Sequence, residues 1–263
     1  MNHNLLYNLT IMIKYIFIVP YRNREQQKHF FIKYMDYLME DYDKDTYEII
    51  FSHQMNDLQF NRGAVKNIGF LYAKEKYEYY KDIIFIFNDV DTLPHKKNIL
   101  DFNLEDNEIK HYYGFNFTLG GIFAIKGKDF ERINGFPNFW GWGYEDNVIL
   151  NRALENKINI NRSNFFEIGN HNILHLIDEF SKNISVKARN DYVNKTILDG
   201  LNTLQNVIYK QNDITSMLDI HSFSGLYSPH DQVINTSLFN MQSQIQNKRI
   251  PHPIGKFDFY NFK

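Results

Sequence analysis

A chain of 263 residues is long enough to bury one sizeable core, and its length fits one catalytic-size unit better than two equal domains. Lys and Arg total 29 against 31 Asp and Glu, a formal net charge of -2, so there is no global field for nucleic acid or an anionic membrane, and any phosphate-bearing ligand must be met by local cations or a metal. The absence of cysteine excludes disulfides and thiolate metal sites and suits a reducing compartment.

The chain begins with Leu5-Leu6-Tyr7 and an apolar run over 11–19 that is too short to span a bilayer and is interrupted by Lys14; no small-residue cleavage site follows. The expectation is a soluble chain without a membrane span. Residues 15–19, just before Pro20, read as a buried first strand, and the β-branched and aromatic runs at 47–51 and 83–87 as two more. Segments of helical character at 26–40 and 63–78 separate them. That alternation predicts an α/β fold with a mostly parallel central sheet. Each strand ends in a polar tip: Pro20-Tyr21-Arg22-Asn23-Arg24, then Ser52-His53-Gln54, then Asn88-Asp89-Val90-Asp91. Such tips converge on one crevice in open α/β sheets.

Asp89 and Asp91 flank Val90, so strand alternation would put both carboxylates on one face and the valine on the other. Two hard oxygen donors suit Mg or Mn; a solvated turn or a cap is the plain alternative. His171 and His175 tilt the metal choice toward Mn, because imidazole is a borderline ligand, although a lone histidine is more often an ordinary hydrogen-bonded residue. Arg22, Arg24 and Arg62 are candidates to hold a phosphate, against the plain reading of surface ion pairs.

The stretch from Gly120-Gly121 to Trp140-Gly141-Trp142-Gly143-Tyr144-Glu145-Asp146-Asn147 gathers glycines, two indoles and two carboxylates without a clear period, a composition suited to a sugar. Either Trp is a core residue by default, but glycines on both sides would let Trp142 swing. A helix is expected over 148–155, with Glu145 and Asp146 as caps near its start or, pointing into a cleft, as a base for a hydroxyl. A short strand and the cluster at 171–175 follow. The tail from Gln211 is polar and weakly periodic, with Pro229, Pro251 and Pro253 interrupting it, so a catalytic unit over 1–210 and an appendage over 211–263 are expected.

Residues 17–26 (Phe-Ile-Val-Pro-Tyr-Arg-Asn-Arg-Glu-Gln), Phe60-Asn61-Arg62-Gly63, Asp89-Val90-Asp91, Gly120-Gly121 with Asn134-Gly135-Phe136-Pro137-Asn138, and Trp140-Gly141-Trp142-Gly143-Tyr144-Glu145-Asp146 occur in the order and spacing of the β-1,4-galactosyltransferase family, which the chain resembles from about Tyr15 to Leu204. The resemblance implies a GT-A fold, a Rossmann-like nucleotide-diphospho-sugar transferase, working with inversion on a UDP donor and Mn2+. It implies Asp91 and His175 as metal ligands, with His171 preferred over Asn172 as a further one. It implies Pro20, Tyr21, Arg22 and Arg24 around uridine and phosphates, with Phe60, Arg62 and Gly121 assisting and Asp89 near the donor ribose or sugar. Asp146 would be the base, Glu145 its neighbour in the motif, and Trp142 part of a loop that closes over the donor.

Several residues depart from the family pattern. Asn147-Val148 stands where members commonly carry more aspartates, and Thr118-Leu119 where galactose-specific members carry two aromatics, so the donor is expected to be UDP-Gal or UDP-GalNAc. No acceptor pocket is recognisable between His175 and Asp199, which leaves the acceptor as an unspecified glycan or glycoconjugate. Family enzymes are usually anchored and disulfide-bonded; this chain is expected to be a cytoplasmic bacterial-type or viral enzyme. A silent lectin-like module on the same fold, or a metal-dependent nucleotidyltransferase, are the competing readings.

Overall fold

Residues 12–176, 181–212 and 216–237 are described in the computed structural model of the chain. Leu5, Leu6, Tyr7, Ile11, Pro251 and Pro253 lie outside them. Strand β1 (Tyr15–Tyr21) leads into helix α1 (Glu25–Leu38), β2 (Tyr47–Gln54), α2 (Arg62–Lys76) and β3 (Ile84–Asn88). β1 pairs in parallel with β2 and with β3, Tyr15 lying opposite both Tyr47 and Ile84. Every residue of β1 and β3 is buried. Alternation therefore feeds two cores. Ile16, Ile18, Phe85 and Phe87 pack with the buried face of α2, while Phe17, Val19, Ile84 and Ile86 pack with Phe31 and Met35 of α1 on the other side. Each such side chain contributes roughly 1.5–3 kcal/mol by burial.

β4 (Thr92–Pro94), β5 (Glu108–Gly114), β6 (Ile122–Lys126), α3 (Gly127–Arg132), α4 (Glu145–Glu155), β7 (Asn159–Asn161), β8 (Phe166–Glu167) and β9 (Ile173–His175) follow. The central sheet runs β7-β5-β6-β3-β1-β2 and continues into two later strands, with β8 beside β5. β6 is antiparallel to both β3 and β5, so the sheet is mixed though mostly parallel. Helix α4 begins at Glu145, not Val148. Glu145 and Asp146 are its first two residues, where the helix dipole favours carboxylates, and the N-cap is Tyr144 in the left-handed region (φ 71).

β10 (Ser181–Ser185), α5 (Val186–Asn194), β11 (Gln205–Asn212), β12 (Met217–Ser224) and β13 (Val233–Ser237) complete the described elements. β12 lies parallel to β2, with Met217 opposite Phe51, and β11 is antiparallel to β12. The expected boundary after residue 210 therefore falls inside β11, and Met217–Ser224 beyond it belongs to the central sheet, while β13 pairs with β10 in a separate two-stranded sheet. The polar, weakly periodic sequence from Gln211 reads as an appendage, but Leu218, Ile220 and Phe223 are buried in the core that covers α2. Among the described residues no helix is long and apolar enough to cross a membrane.

Candidate active site

Three buried asparagines fix the floor of the site. Asn61 caps α2 by accepting from the Ala64 amide (2.9 Å) and donates to the Asn138 carbonyl (3.0 Å). Asn67 donates to the Phe136 carbonyl (2.7 Å) and accepts from the Phe136 amide (3.0 Å), and Asn138 donates to Asp199 (3.1 Å). The chain after Pro137 is thereby stitched to α2, and it carries the two indoles to the C-terminal edge of the sheet. They part there. Trp140 is core: its ring stacks on Phe223 at 4.9 Å and its Nε1 donates to the Tyr227 carbonyl. Trp142 is half-buried and lines a cavity of about 610 Å3 at the strand tips. Gly141 (φ 94) and Gly143 (φ 103) make the turn possible on either side of it. The Gly141 amide donates to the Phe60 carbonyl (3.1 Å) and the Trp142 amide to the Asn183 carbonyl (2.6 Å), so the backbone that carries the indole is held between the end of the β2–α2 connection and β10.

Pro20, Arg22, Arg24, Phe60, Arg62, Asp89 and Asp91 also line this cavity. Tyr21 does not. It points to the opposite face of β1, donates its hydroxyl to Glu25 and packs on His53 at 4.9 Å. Gly121 stands at φ 72 against the Tyr113 carbonyl and accepts the Asp89 amide (3.1 Å), so it positions the acidic turn from behind. Asp89, Val90 and Asp91 form that turn, closed by the Thr92 amide on the Asp89 carbonyl (3.2 Å), and are not strand residues as alternation implied. Val90 is nevertheless buried in the core and both carboxylates face the cavity.

Beneath the cavity lies a network of charge. Arg62 donates to both oxygens of Asp89 (2.6 Å each) and sits 3.5 Å from Glu145. Lys66, one turn along the helix and 1% exposed, has its ammonium 3.7 Å from Asp89, 3.5 Å from Asp146 and 4.6 Å from the centre of the Phe136 ring. Burial opposes ionisation of Asp89, but Arg62 and Lys66 hold its carboxyl below the usual range. Glu145 is pushed up by burial and by Asp146, and Asp91 by burial and by Asp89, with His175 partly offsetting the latter. Four carboxylates thus lie around a partly exposed arginine and the buried Lys66, an excess of negative charge that suits a divalent ion.

β9 brings His175 opposite Thr92, and the Leu176 amide donates to the Asp91 carbonyl (2.8 Å). His175 Nδ1 is 2.9 Å from the Tyr113 hydroxyl; with the proton on Nδ1, Nε2 keeps its lone pair for a cation. His171 is not brought there. It occupies an exposed turn at the far end of β9, beyond the Asn172 carbonyl that accepts from the His95 amide. Among the described residues no three His, Asp or Glu side chains converge on a metal-sized point. Asp91 and His175 are the side chains here whose donor chemistry would suit Mn.

Asp146 reaches the site from α4. A Cβ added at Gly120 would lie 2.5 Å from its Oδ2, so glycine there leaves room for the carboxylate, and its carbonyl accepts the Leu119 amide (2.9 Å). The 115–119 loop that hugs it is tied down by His111, wholly buried, whose Nε2 faces the Tyr113 and Gly120 carbonyls (3.1 and 3.0 Å) while Nδ1 accepts from Arg162 (3.1 Å). Burial lowers the His111 pKa from 6.5 to about 4. The unfolded chain therefore binds more protons in that window. Stability from this group is complete above pH 6.5 and is lost as pH falls toward 4, by about 3 kcal/mol. His111→Gln is expected to flatten the pH dependence of denaturant stability over that window; an unchanged slope would remove His111 as its source.

Lys66, Lys182 and Asn183 escaped the sequence reading. Lys66 had left a signal, since it follows Arg62 by four residues and so shares its helix face. Lys182 and Asn183 line the cavity from a segment that is distant in sequence.

Residues 9–102 match the family described as the N-terminal region of glycosyl transferase group 7, and residues 101–176 that described as the N-terminal domain of galactosyltransferase. Human β-1,4-galactosyltransferase 1 is 32% identical over 204 residues, 73% of this chain and 50% of that protein; the mouse enzyme is 34% identical over 160 residues, 57% and 39%. The chain spans about half the length of these relatives or less. The catalytic domain of Drosophila β-1,4-galactosyltransferase 7, solved with xylobiose, superposes with a TM-score of 0.65 at 20% identity, over 82% of this chain and 95% of that one, and a mutant of it solved with manganese, UDP-Gal and xylobiose gives 0.60. The solved structures share the GT-A architecture, and the two adjoining sequence matches, read with the relatives, make this chain a member of the β-1,4-galactosyltransferase family.

Proposed function

We propose that the chain transfers galactose or N-acetylgalactosamine, with inversion, from a UDP donor to a sugar hydroxyl of a glycan or glycoconjugate, with Mn2+ as cofactor. The observation that carries this reading is a cavity lined by Arg22, Arg24, Arg62, Asp89 and Asp91 whose Asp89 shares the buried Lys66 ammonium with Asp146 behind it, at 3.7 and 3.5 Å. The Drosophila relative, solved with manganese and UDP-Gal, supports the choice of donor and metal. Arg22 and Arg24 would bind the diphosphate, and Trp142 would cover the sugar and exclude water. Asp146 would accept the acceptor's hydroxyl proton as that oxygen bonds to the anomeric carbon. The bond from that carbon to the diphosphate breaks on the opposite face, its electron pair leaving with UDP. When bound through Asp91 and His175, Mn would take up negative charge developing on the diphosphate.

Thr118, buried at the bend before Gly120-Gly121, bears on the donor sugar. A small side chain there leaves room for an N-acetyl group, and Thr118→Tyr is expected to cut UDP-GalNAc turnover at least about tenfold relative to UDP-Gal. UDP release with Mn, measured across UDP-Gal, UDP-GalNAc, UDP-Glc, UDP-GlcNAc and UDP-Xyl with simple sugar acceptors, tests both statements. Comparable UDP-Gal turnover by both proteins with no use of UDP-GalNAc by either would defeat the Thr118 assignment. Mn-dependent UDP binding without turnover of any donor would favour a lectin-like module, and release of pyrophosphate a nucleotidyltransferase.

A further inference from the structure

We infer that Lys66 is the positioning residue for Asp146, an inference that rests on the transferase reading above. A lysine with 1% exposure is unusual, because removing an ammonium from water costs several kcal/mol unless its partners are well placed. Stability alone does not call for it. A methionine would fill the same space on the buried face of α2, and replacing buried ion pairs with apolar side chains of similar volume is often neutral or stabilising.

The contacts indicate which partner matters. Asp89 is already held by Arg62 through two hydrogen bonds of 2.6 Å, and the Lys66 ammonium is the more distant of its cations at 3.7 Å. Asp146 is placed differently. Its Oδ2 lies against Gly120, and its Oδ1 faces the Lys66 ammonium at 3.5 Å. The Phe136 ring 4.6 Å from that ammonium, and the hydrogen bonds from Asn67 on the next position of α2 to the Phe136 backbone, fix the lysine in turn. Lys66 thus ties the orientation of a proton-accepting carboxylate on α4 to the helix that carries Arg62. A displacement of about 1 Å in such a group costs on the order of 100-fold in rate.

The test compares Lys66→Met, Lys66→Cys and wild type as full-length purified chains, with the donor and acceptor the wild type turns over fastest. The chain has no cysteine, so the thiol of Lys66→Cys is unique, and alkylation with 2-bromoethylamine in denaturant followed by refolding rebuilds an ammonium side chain at that position alone. Wild type taken through the same steps is the reference. We expect Lys66→Met to bind UDP with Mn within about threefold of wild type and to keep its donor KM, while kcat falls about 10- to 100-fold. Unmodified Lys66→Cys should share that loss, and the aminoethylated protein should regain most of the lost kcat.

A kcat for Lys66→Met within about threefold of wild type would overturn the assignment. So would a loss of UDP affinity as large as the loss of kcat, or failure of both variants to fold, since each marks a role in the scaffold. If the wild type itself releases no UDP from any donor although it binds UDP with Mn, the transferase reading fails first and takes this inference with it.

Discussion

Asp146→Asn is expected to lower transfer by about 1000-fold while leaving Mn-dependent UDP binding within about threefold of wild type. An acceptor hydroxyl is a poor nucleophile, and an amide cannot take its proton. Asparagine keeps the volume of aspartate, so the space opposite Gly120 stays filled, and its amide oxygen can still face the Lys66 ammonium. Arg22, Arg24 and Asp91, which line the cavity, are unchanged in this variant. The comparison needs kcat from UDP release and Kd from titration on the same preparations. Transfer surviving within a few fold would show that Asp146 is not the base, and Glu145 is a poor substitute because its carboxyl is buried at 3% exposure beside Arg62.

The second large effect is expected at Asp91. Asp91→Ala removes one of the two protein donors proposed for Mn, and the affinity for UDP measured with Mn is expected to fall about 100-fold, or about 2.7 kcal/mol. UDP affinity measured in EDTA should hardly move, and that contrast identifies a metal ligand as opposed to a direct phosphate contact. Folding should not suffer. Burial and the Asp89 charge push the Asp91 carboxyl up, so at neutral pH its ionised form opposes folding, and the alanine variant is expected to melt at the same temperature or higher. Equal UDP affinities for the two proteins with Mn would take Asp91 out of the metal site.

The N-terminal half was legible because its signals are local. Three apolar runs with helical segments between them gave the parallel strands, and the polar tips after Val19 and Phe87 line the crevice, whereas the tip after Phe51 does not: His53 turns to Asp219 (2.8 Å) and Gln54 is buried against Gln59 and Asn61. Asp89, Asp91, Arg22, Arg24 and Arg62 reach the crevice because each lies just after a strand end or at a helix start, and Trp142 reaches it from the glycine-flanked connection before α4. What was not legible depends on pairing between distant segments. His175 meets Asp91 only through the β4–β9 pair, and nothing local distinguishes it from His171, which that same register places at the wrong end. The family resemblance implies Tyr21 as a ligand contact, but strand alternation turns it to the opposite face. Lys66 was passed over because a charged residue inside a helix defaults to solvent; its burial comes from Phe136 and from carboxylates that arrive from β3 and α4.

The placement of β12 carries a consequence for how the protein is made. During synthesis β1, β2 and β3 emerge first and can pair at once, but the outer edge of β2 is covered only by residues 217–220, near the end of the described chain. Until those residues leave the ribosome, the nascent sheet presents a row of unpaired backbone groups, and the Trp140 ring lacks Phe223 beside it. A product of premature termination before Met217 would therefore carry every residue assigned to catalysis yet keep a sticky edge. Its fate would be self-association, so recombinant production of this protein turns on completing the last strands and not on preserving the catalytic motifs.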